Sequence, residues 1–373
     1  MNKYILFKNI TETIFRRYIL FEEKNINWNN ISNQYFKFLN NIKNDAGFVD
    51  LVNKMILELK DAHVNFSKLA STASYFLPIN FKFIQNHLIS TSNEDVLPKG
   101  AEILEIDNYK ISNLFSAEIN SLSKMRFLND IYSRPGKESM CKYFWNGKKF
   151  DIKLKNVSIE QNLVLAKETI SEDILVGLFS KKIDSEIEYI KITSFNHGIA
   201  KAFFKAVQKI GSRKKIIIDL RGTKGGYIKE TIDSVALFAK YEIYLGKKTY
   251  ISNKEKTTEN VIIKPIKTNS KFEKILILID NFTMSSSEFI FLRAIKKIKN
   301  VTLIGEKTAG IVHGTTRFVF DKSYLLNLTT CKYYDEKNFL LKDTGIDPNI
   351  YITETINSII NNIDCVLDFA IKN

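Results

Sequence analysis

Apolar residues recur at helical spacing early in the chain. Leu51, Val52, Met55, Ile56 and Leu59 fall on one face, and residues 1 to about 70 read as a small helical region. From about 76 to 155 the pattern changes to short alternating segments broken by turn signals: FLPINFKFI, HLISTS, VLPKGAEILEID and KYFWNGKKFDIKL, the last with Asn146-Gly147 between two strand-like runs. This stretch predicts a small, mostly β domain. From about 184 strand and helix patterns alternate through IEYIKI, AKAFFKAVQKI, KKIIIDL, KETIDSVALFAKY, KILILID, EFIFLRAIKKI and VTLIGE. That order predicts an α/β fold with a mostly parallel sheet covered by helices. RFVF and YLLNLTTCKYY read as a hairpin, and a last helix is expected over roughly 354 to 371. The expected division is an N-terminal helical region at 1–75, a β domain at 76–155 and an α/β core at 156–373.

Composition narrows the function classes. At 373 residues and 45% hydrophobic content the chain can bury a sizeable core. Its beginning, MNKYILFKNITETIFRRYILFEEKN, interrupts apolar residues with charges every few positions, so neither a secretion signal nor a membrane span is expected and a cytoplasmic protein is. Cys141, Cys331 and Cys365 are odd in number and lack metal-ligand spacing, which suits reduced thiols; no metal or cofactor is expected. The net charge of +14 would attract acidic partners. Lysine is nevertheless scattered among Asn and Ile, as in NKEKTTENVIIKPIKTNSKFEK, without a basic helix or nucleic-acid motif, so it reads as a solvated surface and no nucleic-acid partner is expected.

Three places could carry chemistry. In FEKILILIDNFTMSSSEFIFLRAIKKI, Ser285 stands at a strand-to-helix junction, where free N–H groups and positive potential favour a nucleophile. The run Ser285-Ser286-Ser287-Glu288 equally fits an S-x-x-E capping box. Asp219-Leu220-Arg221-Gly222-Thr223-Lys224-Gly225-Gly226 follows a strand and precedes a helix, and its paired glycines either turn N–H groups outward as an oxyanion hole or only make a tight turn. A serine nucleophile needs a base. Of the four histidines, His63 closes the helical pattern in LELKDAHVNF, where it could also serve the helix C-terminus, and His313 is its rival.

Taken together, LKDAHVNF, LPKGAEILEID, IEYIKITSF, IIIDLRGTKGG, ILIDNFTMSSSE, LIGEKTAG and TGIDPNI resemble, in order and spacing, the S41 serine peptidases, which include tricorn protease and the carboxyl-terminal processing proteases. The resemblance implies that core fold with a PDZ-like β domain, and a serine endopeptidase acting on peptides or unstructured protein segments. It implies Ser285 as nucleophile and backbone N–H groups of Ser286 and of Gly225 or Gly226 as the oxyanion hole, so that substitution at Gly226 should lower turnover with the fold intact. The processing-protease branch has a lysine base after the T-x-G turn, where this chain has Ile311; the tricorn-like branch has a histidine, matched by His63 in KDAH. The orienting glutamate of that branch is replaced here by Lys342, leaving Asp343, one residue displaced, or Glu288 as the acid. The departures at 311 and 342 also suit a catalytically inactive peptide-binding homologue.

Overall fold

Helices α1 (Lys3–Arg17), α2 (Trp28–Phe36) and α3 (Asp45–Leu57) each start at an asparagine whose side chain accepts a backbone N–H, from Tyr4, Asn30 and Gly47 respectively. Such caps satisfy donors that the first turn leaves open. All five apolar residues of the α3 pattern are buried, packed with Phe7, Ile10 and Ile14 of α1. The computed structural model describes residues 2–61, 63–69, 75–92, 96–114, 138–158, 177–211, 213–252, 255–268 and 270–373. Strand β1 (Asn65–Lys68) leaves the helical region and pairs antiparallel with a strand far down the chain, Asn65 facing Asn327 and Lys68 facing Tyr324.

The β domain is an antiparallel sheet of β2 (Phe81–Ile84), β3 (His87–Ser90), β4 (Glu102–Ile106), β5 (Glu138–Trp145) and β6 (Lys148–Lys155), in that spatial order. Asn146 and Gly147 both take positive φ, 48° and 77°, the two-residue turn that matches strand twist. Leu88, Ile103, Ile106 and Cys141 fill its core. A short antiparallel pairing of Tyr75–Phe76 with Val157–Ser158 brackets the domain at its two ends.

The rest of the chain runs β7 (Leu178–Lys182), β8 (Ile187–Ile192), α4 (Ile199–Ile210), β9 (Arg213–Asp219), α5 (Ile228–Ala236), β10 (Ile243–Ser252), β11 (Glu255–Ile263), β12 (Phe272–Ile279), a π-helix (Ser287–Leu292), β13 (Val301–Gly305), β14 (Gly314–Phe320), β15 (Tyr324–Tyr334), β16 (Ile350–Tyr351), α6 (Ile356–Ile360) and α7 (Cys365–Lys372). One sheet has the order β7-β8-β9-β12-β13-β16; its first pair is antiparallel and the other four pairs are parallel. Both faces are covered, so β12 is apolar from Ile275 to Ile279 rather than alternating. Ile275, Ile277 and Ile279 pack under α4 and α5, while Leu276 and Leu278 pack against Val366 and Ala370 of α7.

A second sheet of β1, β15, β10 and β11, with β14 on β15, is wholly antiparallel, so the fold is mixed α/β. The β14–β15 hairpin turns at Asp321 and Lys322, both at positive φ. The single terminal helix expected over 354 to 371 is instead two. Asn362 turns left-handed at φ 57°, and Asp364 starts α7 afresh by accepting the Leu367 N–H.

Candidate active site

Two strand ends build the site. Beyond β12, the half-buried Asp280 carboxylate accepts the Gly222 N–H, the Phe282 N–H and the Thr283 hydroxyl, and Thr283 also donates to the Leu220 carbonyl. The Met284 N–H donates to the Thr223 carbonyl. These bonds stitch the turn after β9 to the turn after β12. The next residue, Ser285, sits at φ +59°, a left-handed conformation that costs an L-residue about 1 kcal/mol and persists only where neighbours over-determine it. Its N–H is shared between the Ile311 carbonyl at 2.9 Å and Glu288 Oε2 at 3.1 Å. The capping box thus forms only by its glutamate half. The Ser285 hydroxyl makes no hydrogen bond among the described residues, and the side chain is partly exposed. A π-helix, a rare geometry often found at functional sites, begins two residues later.

Glu288 is fully buried yet fully engaged. Oε1 accepts from the Thr308 hydroxyl at 2.5 Å and the Gly310 N–H at 2.8 Å; Oε2 accepts from the N–H groups of Ile311 and Ser285. Burial nevertheless drives its carboxyl up to about 7, against the pull of all four donors. Thr308 in turn accepts the Ile346 N–H on its hydroxyl at 2.7 Å, so the carboxylate joins the elbow to the LIGEKTAG and TGIDPNI segments. None of these bonds reaches a histidine. Glu288 therefore clamps the elbow and is not the acid that faces His63.

Gly225 packs directly on the elbow: a Cβ there would lie 2.7 Å from Ser285 Cβ and 2.9 Å from the Ser286 nitrogen. Its φ of +75° turns the chain so that its carbonyl accepts the Phe195 N–H, while the Tyr227 N–H returns to the Phe195 carbonyl. The N–H groups of Gly225, Gly226 and Ser286 donate to no acceptor among the described residues. Gly226 is crowded on its other side, because a Cβ would approach the Phe195 carbonyl oxygen to 2.4 Å. The expectation that substitution at Gly226 spares the fold is thereby corrected: the clash is with backbone in a bridge that has no room to yield. Ser286 is held by its own hydroxyl, which accepts from Thr231 of α5.

His63 follows α3 on a turn closed by the Val64 N–H to the Asp61 carbonyl, and its own carbonyl accepts from Asn327 of β15. Ring atom Nε2 is buried without a hydrogen-bond partner among the described residues, and Nδ1 lies 3.9 Å from Asp61 Oδ1. Burial pulls the imidazole down to about 4; Asp61 opposes that and Lys24 reinforces it, so the ring is neutral at pH 7. His313, the rival base, is buried two residues beyond Ile311, has an Nδ1 without a partner among the described residues and feels the charge of Asp61, and burial holds it near 4 as well. Asp343 joins this pocket: Lys24 Nζ stands 3.9 Å away, the Val312 N–H donates to it, and burial raises it to about 6. Both histidines thus share one polar pocket, and Asp343, its side chain 49% exposed, stands at its solvent side. Asp61 was not singled out from the sequence, although it lies within the KDAH segment that drew attention to His63.

The turn after β9 is braced by charge. Burial pushes Asp219 up, but the Arg221 guanidinium, with Lys191 and Tyr189, outweighs it and holds the carboxyl at about 2. Arg221 also makes a fork of two 2.7 Å bonds to Asp364 at the start of α7. A cleft of about 590 Å³ opens between β2 and the carboxyl ends of the core strands. It reaches Lys224 and Met284, the residues just before Gly225 and Ser285, with Phe83, Phe282 and Ile352 among its apolar walls.

A family model described as peptidase family S41 matches residues 186–352, and one described as tricorn protease C1 domain matches 6–56. The carboxy-terminal processing protease CtpA of Bacillus subtilis is 27% identical over 207 residues, which are 55% of this chain and 42% of that protein. A Staphylococcus aureus protein named "Probable CtpA-like serine protease" is 26% identical over 337 residues, 86% of this chain and 62% of its own length. The chain thus spans less than two thirds of the length of either relative. The solved structure of mature CPAF complexed with lactacystin superposes with a TM-score of 0.77 at 12% identity, covering 100% of this chain and 97% of that one. The S41 match contains Gly225, Gly226, Ser285, Ser286, Glu288 and Asp343, and His63 lies outside both matches. The elbow and the glycine turn fall within the segment that matches peptidase family S41, the helical N-terminal region carries the tricorn C1 match, and the fold is that of the solved relatives: the chain is similar to S41 peptidases along both matched segments.

Proposed function

We propose that the protein is a serine endopeptidase that hydrolyses peptide bonds in peptides or flexible protein segments through a Ser285 acyl-enzyme. The observation that carries this reading is the elbow itself: a left-handed Ser285 with an unengaged hydroxyl, seated on Gly225 and beside three N–H groups without acceptors among the described residues. Ser285 Oγ attacks the scissile carbonyl and its proton passes to neutral His63. The Ser286 N–H and those of Gly225 or Gly226 hold the oxyanion, the imidazolium protonates the leaving amine, and water then releases the acyl group. The PDZ-like reading of the β domain fits here as a substrate dock, in which an extended peptide adds to a sheet edge. The cytoplasm, without membrane or nucleic-acid partners, is the compartment this reading assumes.

A second reading, a peptide-binding homologue without turnover, is favoured by one observation: His63 Nε2 makes no hydrogen bond to Ser285 in this conformation. The test is fluorophosphonate labelling, together with mass-spectrometric detection of cleavage in a diverse peptide mixture, for wild type, Ser285→Ala and His63→Ala. Cleavage and labelling that both substitutions abolish support the peptidase. Cleavage that survives Ser285→Ala refutes it, and peptide retention without cleavage supports the binding protein.

A further inference from the structure

We propose that Asp61 is the positioning residue for His63: its carboxylate fixes the imidazole with the proton on Nδ1 and leaves Nε2 open to take the Ser285 proton. The inference rests on the peptidase reading and assigns within it an acid that the sequence comparison left unplaced.

The case is one of elimination by contact. Of the candidate carboxylates, Glu288 spends its two oxygens on four donors at the elbow. Glu23 is engaged by Lys332, and Asp343 faces Lys24 at 3.9 Å and the Val312 N–H. Asp61 alone of these has both a hydrogen bond to the His63 residue, from its backbone N–H at 3.0 Å, and an oxygen 3.9 Å from its ring. That ring separation is about 1 Å beyond a hydrogen bond, so the proposal requires the His63 ring to move toward Asp61 by that amount.

Asp61 is itself held. Its second oxygen accepts the Tyr18 hydroxyl at 3.0 Å, and both residues are buried. Tyr18 ends α1, so the carboxylate is anchored from one helix while Asn327 anchors the His63 carbonyl from β15. A negative oxygen beside Nδ1 favours the Nδ1–H tautomer and stabilises the imidazolium formed during attack. The other charged or titratable groups around the ring are Lys24 from the N-terminal region, and His313 and Asp343 from the loops after β13 and β15; Lys24 opposes the imidazolium that Asp61 favours.

The test reads the ring directly and then the rate. Nitrogen-15 shifts of the His63 imidazole at pH 7 are expected to show an Nδ1–H tautomer in wild type and a tautomer mixture in Asp61→Asn. In the same variant kcat should fall roughly 10²–10⁴-fold with KM within about threefold of wild type, while Tyr18→Phe, which removes only the anchor, loses less. An Nε2–H tautomer in wild type overturns the proposal without any variant. So does an Asp61→Asn protein with unchanged ring shifts and kcat within threefold, or loss of the tautomer in Asp343→Asn but not Asp61→Asn. Absence of wild-type turnover would refute the peptidase, whereas the wild-type ring shifts would still decide the role of Asp61.

Discussion

Replacing Gly225 by alanine tests the elbow most directly. The added methyl would stand 2.7 Å from Ser285 Cβ, 2.9 Å from the Met284 carbonyl oxygen and 2.9 Å from the Ser286 nitrogen, on a backbone at φ +75°. Carbon contacts are relaxed at about 3.5–4.0 Å, so something must move by about an ångström. The elbow cannot retreat freely, because Met284 is tied to Thr223, and Ser285 to both Ile311 and Glu288. Overpacking of this kind costs about 1–3 kcal/mol, and the left-handed conformation adds about 1 kcal/mol for a residue with a Cβ. The kinetic effect is separate and larger: losing or misplacing one oxyanion donor removes about 3–4 kcal/mol of transition-state stabilisation, or 10²–10³ in kcat. Steady-state kinetics on a cleaved peptide, with thermal unfolding alongside, should show that fall in kcat with KM little changed and the fold retained. A folded Gly225→Ala protein with kcat within fivefold of wild type would falsify the oxyanion assignment. Gly226→Ala should instead be seen first as a drop in stability, because its methyl meets the Phe195 carbonyl at 2.4 Å.

Glu288→Gln replaces one acceptor oxygen by an amide N–H₂, so two of four buried donors lose their partner; a loss of about 2–4 kcal/mol in denaturant unfolding is expected, and less than 1 kcal/mol would show that solvent reaches the clamp. Because burial holds His63 near 4, its base form persists well below the usual histidine range, so an acid limb of kcat/KM near 7 is expected only from protonation of the Glu288 clamp and should vanish in Glu288→Gln; a limb near 6.5 that persists in that variant would show another group acting as base. The stability sign runs alongside: a folded-state value depressed below 6.5 contributes stability present above pH 6.5 and lost as pH falls toward 4, so unfolding must be monitored in the same samples. Asp364→Ala breaks the fork to Arg221 and the cap on Leu367 together, and should cost about 3 kcal/mol with α7 loosened first, as amide hydrogen exchange would show; uniform protection across α7 would contradict it.

What was legible in the sequence was what short-range chemistry dictates. The apolar run Ile275–Ile279 of β12, the Asn146-Gly147 turn and the α3 stripe each announce their structure through periodicity or turn geometry, and Ser285 and the glycine pair announce themselves by position at strand ends. The sheet that joins β1 to β15 and β10 was not legible, because the β1–β15 pairing spans some 260 residues and the β10–β15 pairing some 85, and no local pattern encodes which distant edge a four-residue strand will meet. The same limit governs the site. Glu288 read from sequence is a capping residue or a catalytic acid; only the fold brings Thr308, Gly310 and Ile311 onto its carboxylate and makes it the pin between three segments. Asp61 sits two residues from His63 in plain view, yet aspartate near a helix end has an ordinary reading as a turn residue. What changes that reading is burial beside Tyr18 and His63, since a carboxylate taken out of water must be held by partners, and here those partners include the histidine to which the chemistry is assigned.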